Sequence, residues 1–241
     1  MFDAVIKVGG SVIAGSALKE IAPQWATLAR SYRLLFLPGG GVFADQVRLI
    51  DRHFNLTDHA AHWMAIAAMD QCGYLLADCL PGARAVHDLR AAAAVTAQGR
   101  AAVLIPSRLL REHDPLPHSW EVTSDSLAAW LARFARAPLL ALLKDVAGVF
   151  PPQEPVGSTP PIPEISRAQL ERCAVVDSYF VTALPEQIEC WIIDGRHPRR
   201  LAQLLATGET IGTCIARHDR AAARQSEPGA RCESYEGRRL V

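Results

Sequence analysis

Ala4-Val-Ile-Lys7-Val-Gly-Gly-Ser11 is the stretch that decides how this chain folds. An apolar run carrying a single lysine ends in two adjacent glycines, as a strand buried on both faces does when it runs out into a tight turn. The same figure returns at Leu37-Pro-Gly-Gly-Gly-Val-Phe43, and with charge in place of the first glycine at Leu142-Leu-Lys144-Asp145-Val-Ala-Gly148-Val-Phe150. Further outward, short apolar runs at 4–8, 33–37, 101–105, 139–143, 190–193 and 213–216 read as strands. Between them the apolar period lengthens, which predicts helices over 17–31, 42–53, 59–80, 89–98, 126–137, 167–173 and 198–206. Strand–helix alternation of this kind predicts an α/β fold, a three-layer αβα sandwich around a mostly parallel central sheet. Ligands of such sheets bind beyond the carboxyl ends of the strands, so the chemistry is expected in the loops just quoted.

Composition narrows the rest. Lys+Arg 25 balances Asp+Glu 25 in 241 residues, so nothing in the net charge favours nucleic acid or an anionic membrane as partner. Half the residues are hydrophobic and 21% are charged, which excludes a mainly disordered chain. Six scattered cysteines without a C-x-x-C read as reduced thiols, and the N-terminus enters a strand with no signal-peptide core. A cytoplasmic protein is expected, and the helix over 59–80 carries too many polar residues to span a membrane. Only three of the basic residues are lysines, Lys7, Lys19 and Lys144. A lysine kept against that bias suggests a place where a compact point charge is needed. The proline-rich stretch 151–163 reads as a loop, and 217–241 as a polar, Arg-rich, poorly ordered tail.

The loops carry the chemistry. Gly9 and Gly10 let a backbone turn and approach a phosphate, with Ser11 and the following helix adding donors and Lys7 a counter-charge. Gly39, Gly40 and Gly41 form a second cradle, with Asp45 and Arg48 in the next two turns. Neither the P-loop G-x-x-x-x-G-K-[ST] nor the dinucleotide G-x-G-x-x-G occurs. Thr123-Ser-Asp125 opens a helix, where either Ser124 or Asp125 would also serve as a plain cap. Lys144-Asp145 closes a buried strand, where an α/β enzyme keeps its working groups.

K-x-G-G-S after the first strand, P-G-G-G after the second, [ST]-x-D before a helix and D-V-x-G-V-[FY] after a later strand together resemble the amino acid kinase family. Ile193-Asp-Gly195 and Gly208-Glu-Thr-Ile-Gly212 resemble that family's ending, so the likeness runs in order over roughly residues 3–216. Within the family, Asp58-His-Ala-Ala-His62-Trp-Met-Ala-Ile-Ala-Ala-Met69 and Phe43-Ala-Asp45 look closest to the aminomethylfuran phosphate kinases of methanofuran biosynthesis.

The resemblance implies ATP-dependent transfer of a γ-phosphoryl group to a small anionic acceptor, an aminomethylfuran-methyl phosphate that becomes a diphosphate. It implies one kinase domain over 1–216, with an acceptor half of about 1–120 and a nucleotide half of about 121–216, in a homodimer or larger homo-oligomer. Lys7, Asp125 and Lys144 would be catalytic. Lys7, Gly9, Gly10, Ser11, Lys144, Asp145, Val146, Gly148, Val149 and Phe150 would hold ATP, and Gly39, Gly40, Gly41, Asp45, Arg48 and His62 the acceptor. Mg²⁺ would ride on the nucleotide phosphates without protein ligands. Other acceptors in the same class are isopentenyl phosphate, UMP or an amino acid. A nucleotide-binding storage or regulatory protein on the same fold is the reading from a different class.

Three departures stand out. Val175-Val-Asp177-Ser-Tyr-Phe180 replaces the stretch where many members carry a second phosphate lysine, so either Lys144 supplies that charge or the γ-phosphate is held differently. Asp45 stands where isopentenyl phosphate kinases have a histidine, and Ala147 where an acidic residue is common. His59 and His62 are three apart on a helix and could face one metal, but the sequence offers them no evident third ligand, so packing or acceptor contact is expected.

Overall fold

The computed structural model describes residues 1–151 and 159–217. Eight strands among them, β1 (Ala4–Val8), β2 (Leu34–Pro38), β3 (Arg84–Val86), β4 (Ala102–Leu104), β5 (Leu139–Lys144), β6 (Glu164–Ile165), β7 (Glu189–Asp194) and β8 (Thr213–Ile215), form one sheet. Their order is β3-β4-β2-β1-β5-β7-β8-β6, and every pair is parallel except β7 with β8. The described helices are α1 (Gly10–Ala14), α2 (Leu18–Leu28), α3 (Gly41–Phe54), α4 (Asp58–Cys79), α5 (Leu89–Thr96), α6 (Ser107–His113), α7 (Ser124–Phe134), α8 (Arg167–Leu170), α9 (Phe180–Ala183) and α10 (Pro198–Thr207).

Strand parity sorts the core into two layers. Ala4, Ile6 and Val8 of β1, with Ala141 and Leu143 of β5, pack among Val12, Trp25 and Leu201 of α1, α2 and α10. Val5 of β1, with Leu140 and Leu142 of β5, packs instead among Leu127, Ala128 and Leu131 of α7. Side chains alternate faces along a strand. Lys7 therefore shares the face of Val5, and Lys144 that of Leu140 and Leu142, so both lysines point toward the α7 layer. β1 and β5 pair in register with Lys7 opposite Leu142, which leaves Lys144 one step further toward the carboxyl edge on the neighbouring strand. The apolar run in β1 thus positions its charged residue.

The helix starts follow local chemistry. Thr57 caps α4 by accepting from the Ala60 amide, and Asp88 caps α5 by accepting from the Ala91 amide. α4 serves both layers, giving Ile66 and Met69 to one and Cys72 and Leu76 to the other. It meets the carboxyl ends of β2 and β4 at Gly73, where a Cβ would stand 2.7 Å from Ile105 and 3.4 Å from Pro38. A side chain there would displace the tip of Ile105, so glycine lets α4 lie close against the strand ends.

The α/β sandwich expected from the alternation is the fold observed. The structure adds β3 and β6, edge strands with one buried residue each, and the short helices α6 and α9, and it divides the helix expected over 17–31 from a separate first turn, α1. Most of the proline-rich stretch (152–158) and the tail from 218 onward lie outside the described residues; Arg217 donates to Glu189 at 2.6 Å. No described helix is long and apolar enough to cross a membrane.

Candidate active site

Where β1 and β5 end, three charges meet. The Lys7 Nζ lies 2.8 Å from Asp125 Oδ1, and the Lys144 Nζ donates to Asp125 Oδ2 at 2.6 Å. Lys7 and Asp125 are both 4% exposed, so a carboxylate with an ammonium on each oxygen sits almost out of water. Burial alone would raise the Asp125 pKa, but Lys144 and Lys7 outweigh it and hold the carboxyl at about 2. Burial also pushes the Lys7 pKa below its ordinary value, and the like charge of Lys144 adds to that against the pull of Asp125. Two cations on one carboxylate leave one uncompensated positive charge in a dry site, which an incoming polyanion would neutralise.

The first turn of α7, which carries Asp125, is held by Asp177, 51 residues beyond Ser126. Asp177 accepts from the Thr123 amide at 3.0 Å, the Thr123 hydroxyl at 2.7 Å and the Ser126 amide at 3.0 Å, and from the Ser126 hydroxyl. These are free donors at the N-terminus of α7, and a carboxylate there also complements the helix dipole. Sequence reasoning missed this role. The sequence shows only that the stretch 175–180, which includes Asp177, lacks the second phosphate lysine, and a contact between segments this far apart leaves no local signature.

The two glycine turns fit into each other. A Cβ on Gly10 would stand 2.6 Å from the Gly41 backbone, and one on Gly39 would stand 2.9 Å from the Gly10 amide nitrogen. Gly9 donates to the Leu143 carbonyl at 2.8 Å and Gly39 to the Val8 carbonyl at 2.8 Å, so both turns are fastened to the strand ends that carry Lys7 and Lys144. Gly41 has φ +51°, the left-handed region that glycine adopts without penalty.

Beside these turns opens a cavity of about 260 Å³. Gly10, Ser11, Gly40 and Gly41 form its floor, and Asp45 and Arg48 stand on the α3 side. Asp58, His62 and Ile66 of α4 face Trp120, Thr123 and Ser124 across it. Arg48 pairs with Asp45 at 2.9 Å and lies 4.9 Å above the Trp120 ring, whose Nε1 donates to Asp51 at 2.7 Å. Burial, with the neighbouring His118, lowers the His62 pKa to about 4, so its ring is uncharged near neutral pH.

The remaining expected residues do not line the cavity and follow Lys144 in the chain. Asp145 and Val146 follow it directly, and the loop through Gly148, Val149 and Phe150 is anchored where the Val149 amide donates to the buried Thr213 hydroxyl at 2.8 Å. Gly148 has φ +153°, and a Cβ there would stand 2.5 Å from that hydroxyl. Beside this loop, Asp194 at the end of β7 grips Arg196 through two side-chain bonds of 2.9 and 2.8 Å, a pairing sequence reasoning did not single out. The structure therefore brings Gly10, Ser11, Gly40, Gly41, Asp45, Arg48 and His62 onto one cavity. It sets Lys7, Asp125 and Lys144 behind the glycine turns, and Asp145 to Phe150 apart from the cavity beyond β5.

Chemically this is a site for anions. It offers paired ammonium groups on a rigid carboxylate, backbone amides in close-packed turns, and a cavity with a guanidinium at its edge.

Comparison with known proteins agrees with that reading. The amino acid kinase family matches residues 4–184. The [5-(aminomethyl)furan-3-yl]methyl phosphate kinase of Methanocaldococcus jannaschii is 28% identical over 222 residues, covering 90% of this chain and 99% of that protein. Among solved structures, uridylate kinase from Archaeoglobus fulgidus superposes with a TM-score of 0.69 at 22% identity, over 90% of this chain and all of that one. UMP kinase from Ureaplasma parvum gives 0.64 at 15% identity, covering 88% of this chain and 98% of that one.

Proposed function

Since the chain belongs to the amino acid kinase family and is an ATP-dependent phosphotransferase, we propose that it phosphorylates a small phosphate monoester, an aminomethylfuran-methyl phosphate, to the diphosphate. One observation carries the reading. Asp125 holds the Lys7 and Lys144 ammonium groups side by side behind two interlocked glycine turns that floor the cavity.

Phosphoryl transfer needs alignment and charge neutralisation more than covalent help. In this reading Lys7, with the Gly9, Gly10 and Ser11 backbone, receives the β- and γ-phosphates, and Lys144 supplies the second charge that the 175–180 stretch lacks. The nucleoside lies against the Asp145–Phe150 loop. The acceptor phosphate rests on Gly39, Gly40 and Gly41 near Arg48. One of its oxygens bonds to the γ-phosphorus as the bond from that phosphorus to the β,γ-bridging oxygen breaks, leaving ADP. A phosphate monoester is ionised at neutral pH, so no strong base is required. Mg²⁺ fits as an ion carried by the phosphates, because both oxygens of Asp125 are already engaged by lysines; when bound it offsets phosphate charge and orients the chain of phosphates.

The cavity supports the amine-bearing furan over other acceptors. Ala65, Ile66 and Met69 give it an apolar wall for a flat ring. Asp58 supplies a carboxylate for an ammonium, and Arg48 a guanidinium for a phosphate. The relative from Methanocaldococcus jannaschii bears the same substrate in its name. On this reading residues 1–216 act as one kinase domain with acceptor and nucleotide halves, in the cytoplasm. The exposed Val42, Leu49, Ile50 and Phe54 of α3 support a homodimer or larger assembly.

The test is ADP release with Mg·ATP against aminomethylfuran-methyl phosphate, isopentenyl phosphate, UMP, acetylglutamate and aspartate. The proposal expects kcat/KM to be highest for the furan phosphate. A higher value for any other acceptor overturns the substrate assignment, and tight ATP binding without turnover on all five favours a nucleotide-binding regulator.

A further inference from the structure

We propose that His62, Asp114 and His118 form a binding site for one divalent transition-metal ion of the zinc class, at the rim of the cavity and separate from any nucleotide-bound magnesium. The ligand atoms of these three side chains all lie within 4.8 Å of one another. Asp114 Oδ1 is 2.8 Å from His118 Nε2, and the His62 ring stacks on that of His118 with centroids 4.1 Å apart. In a tetrahedral zinc site with bonds of ~2.0–2.1 Å, neighbouring ligand atoms stand about 3.4 Å apart. To share an ion of that size the ligand atoms must close from at most 4.8 Å to that spacing, and the two stacked imidazoles must turn so that their in-plane lone pairs converge.

The surroundings are those of a ligand set. His118 Nδ1 lies 3.1 Å from His59 Nδ1, so with Nε2 toward the ion the other nitrogen is fixed by a second histidine. A partner on the far ring nitrogen is what orients metal-bound histidines generally. Asp114 ends α6 as a left-handed cap at φ 37°, its amide donating to the Leu110 carbonyl, which fixes the backbone from which its carboxylate projects. Trp63 packs edge-on to His59 and His118, and the Arg111 guanidinium covers its face at 4.4 Å. Two imidazoles and one carboxylate suit zinc and its neighbours, whereas magnesium favours an all-oxygen shell.

The position gives the ion a purpose. His62 belongs to α4, and His118 directly precedes Ser119 and Trp120, which line the opposite wall of the same cavity. An ion held by both segments clamps the two walls together. Three protein ligands leave a fourth position to water.

The experiment is a titration of the full chain with Zn²⁺ alone, without nucleotide, against a competing chelator, and with Co²⁺ to read the coordination from its visible spectrum. The site requires one ion per chain and a four-coordinate nitrogen–oxygen Co²⁺ spectrum. Asp114→Ala and His118→Ala should each weaken Zn²⁺ at least ~100-fold, and His59→Ala about 10-fold, as for an outer-shell partner. Near-UV circular dichroism of the metal-free variants separates ligand loss from misfolding, and the wild-type Co²⁺ spectrum needs no variant. No stoichiometric binding by the wild-type chain, affinities unchanged in both folded variants, or a thiolate charge-transfer band placing the ion at a cysteine would each overturn the proposal. Because no nucleotide or acceptor enters the titration, its outcome is independent of the kinase reading.

Discussion

Lys7 and Lys144, on neighbouring parallel strands, each pair with one oxygen of the same buried carboxylate, that of Asp125, so two ammonium groups share a single negative charge. Parity aims both lysines at α7, and Asp177 fixes the end of α7 from which Asp125 projects. Each link can be broken separately.

Asp125 sets an acid limit on stability. Its folded carboxyl lies at about 2 against an ordinary 3.8, so the unfolded chain takes up the proton first. The contribution is fully present above pH 3.8 and is lost as pH falls through about 2. Urea midpoints measured down that range should fall for the wild type. Asp125→Asn should start about 3–5 kcal/mol less stable near neutrality, with two buried ammonium groups left unpaired, and should lack this acid transition.

Lys7→Met should separate stability from binding. It removes a buried ammonium whose protonation the site opposes, so the melting temperature of the ligand-free protein should match or exceed that of the wild type. The rise in melting temperature on adding Mg·ATP should vanish, and kcat/KM should fall at least ~100-fold, as when a preorganised donor to developing charge is removed. A wild-type response to ATP in this variant would remove Lys7 from the phosphate site.

Asp177→Asn tests positioning at a distance. An amide cannot accept from all four donors at Thr123 and Ser126, and the lost charge-assisted bonds should cost about 2 kcal/mol in chemical denaturation. If Asp177 acts by aiming Asp125, kcat should fall ~10-fold or more while KM for ATP changes little. A stability loss with kcat intact would make Asp177 only a helix cap.

Asp58→Asn addresses the acceptor. KM for an amine-bearing furan phosphate should rise about fivefold, as fits one exposed charge pair, while KM for ATP stays constant. An analogue lacking the amine should not distinguish the two enzymes.

Much of this was legible in the sequence because it is local. The apolar run around Lys7, the paired and tripled glycines, and the Lys144-Asp145 strand end each declare themselves within ten residues, and together they place the sheet and its carboxyl edge. What stayed hidden is long-range. β3 and β6 sit at the two edges of the sheet and bury one residue each, so neither makes an apolar run, whereas β4, also three residues long, is buried throughout. The grip of Asp177 on Ser126 spans 51 residues, and the contact between His59 and His118 spans 59. Read along the chain, His59 and His62 lacked a third ligand. The turn after α6 brings His118 and Asp114 to them, an outcome of packing rather than pattern.

The most direct test of the central claim is phosphorus NMR of the purified chain with Mg·ATP and aminomethylfuran-methyl phosphate. The proposed reaction requires the acceptor monoester signal to disappear as a pair of mutually coupled diphosphate signals grows in step with ADP. ADP formed with free phosphate while the monoester persists, or no turnover in a chain that still binds ATP, would contradict it.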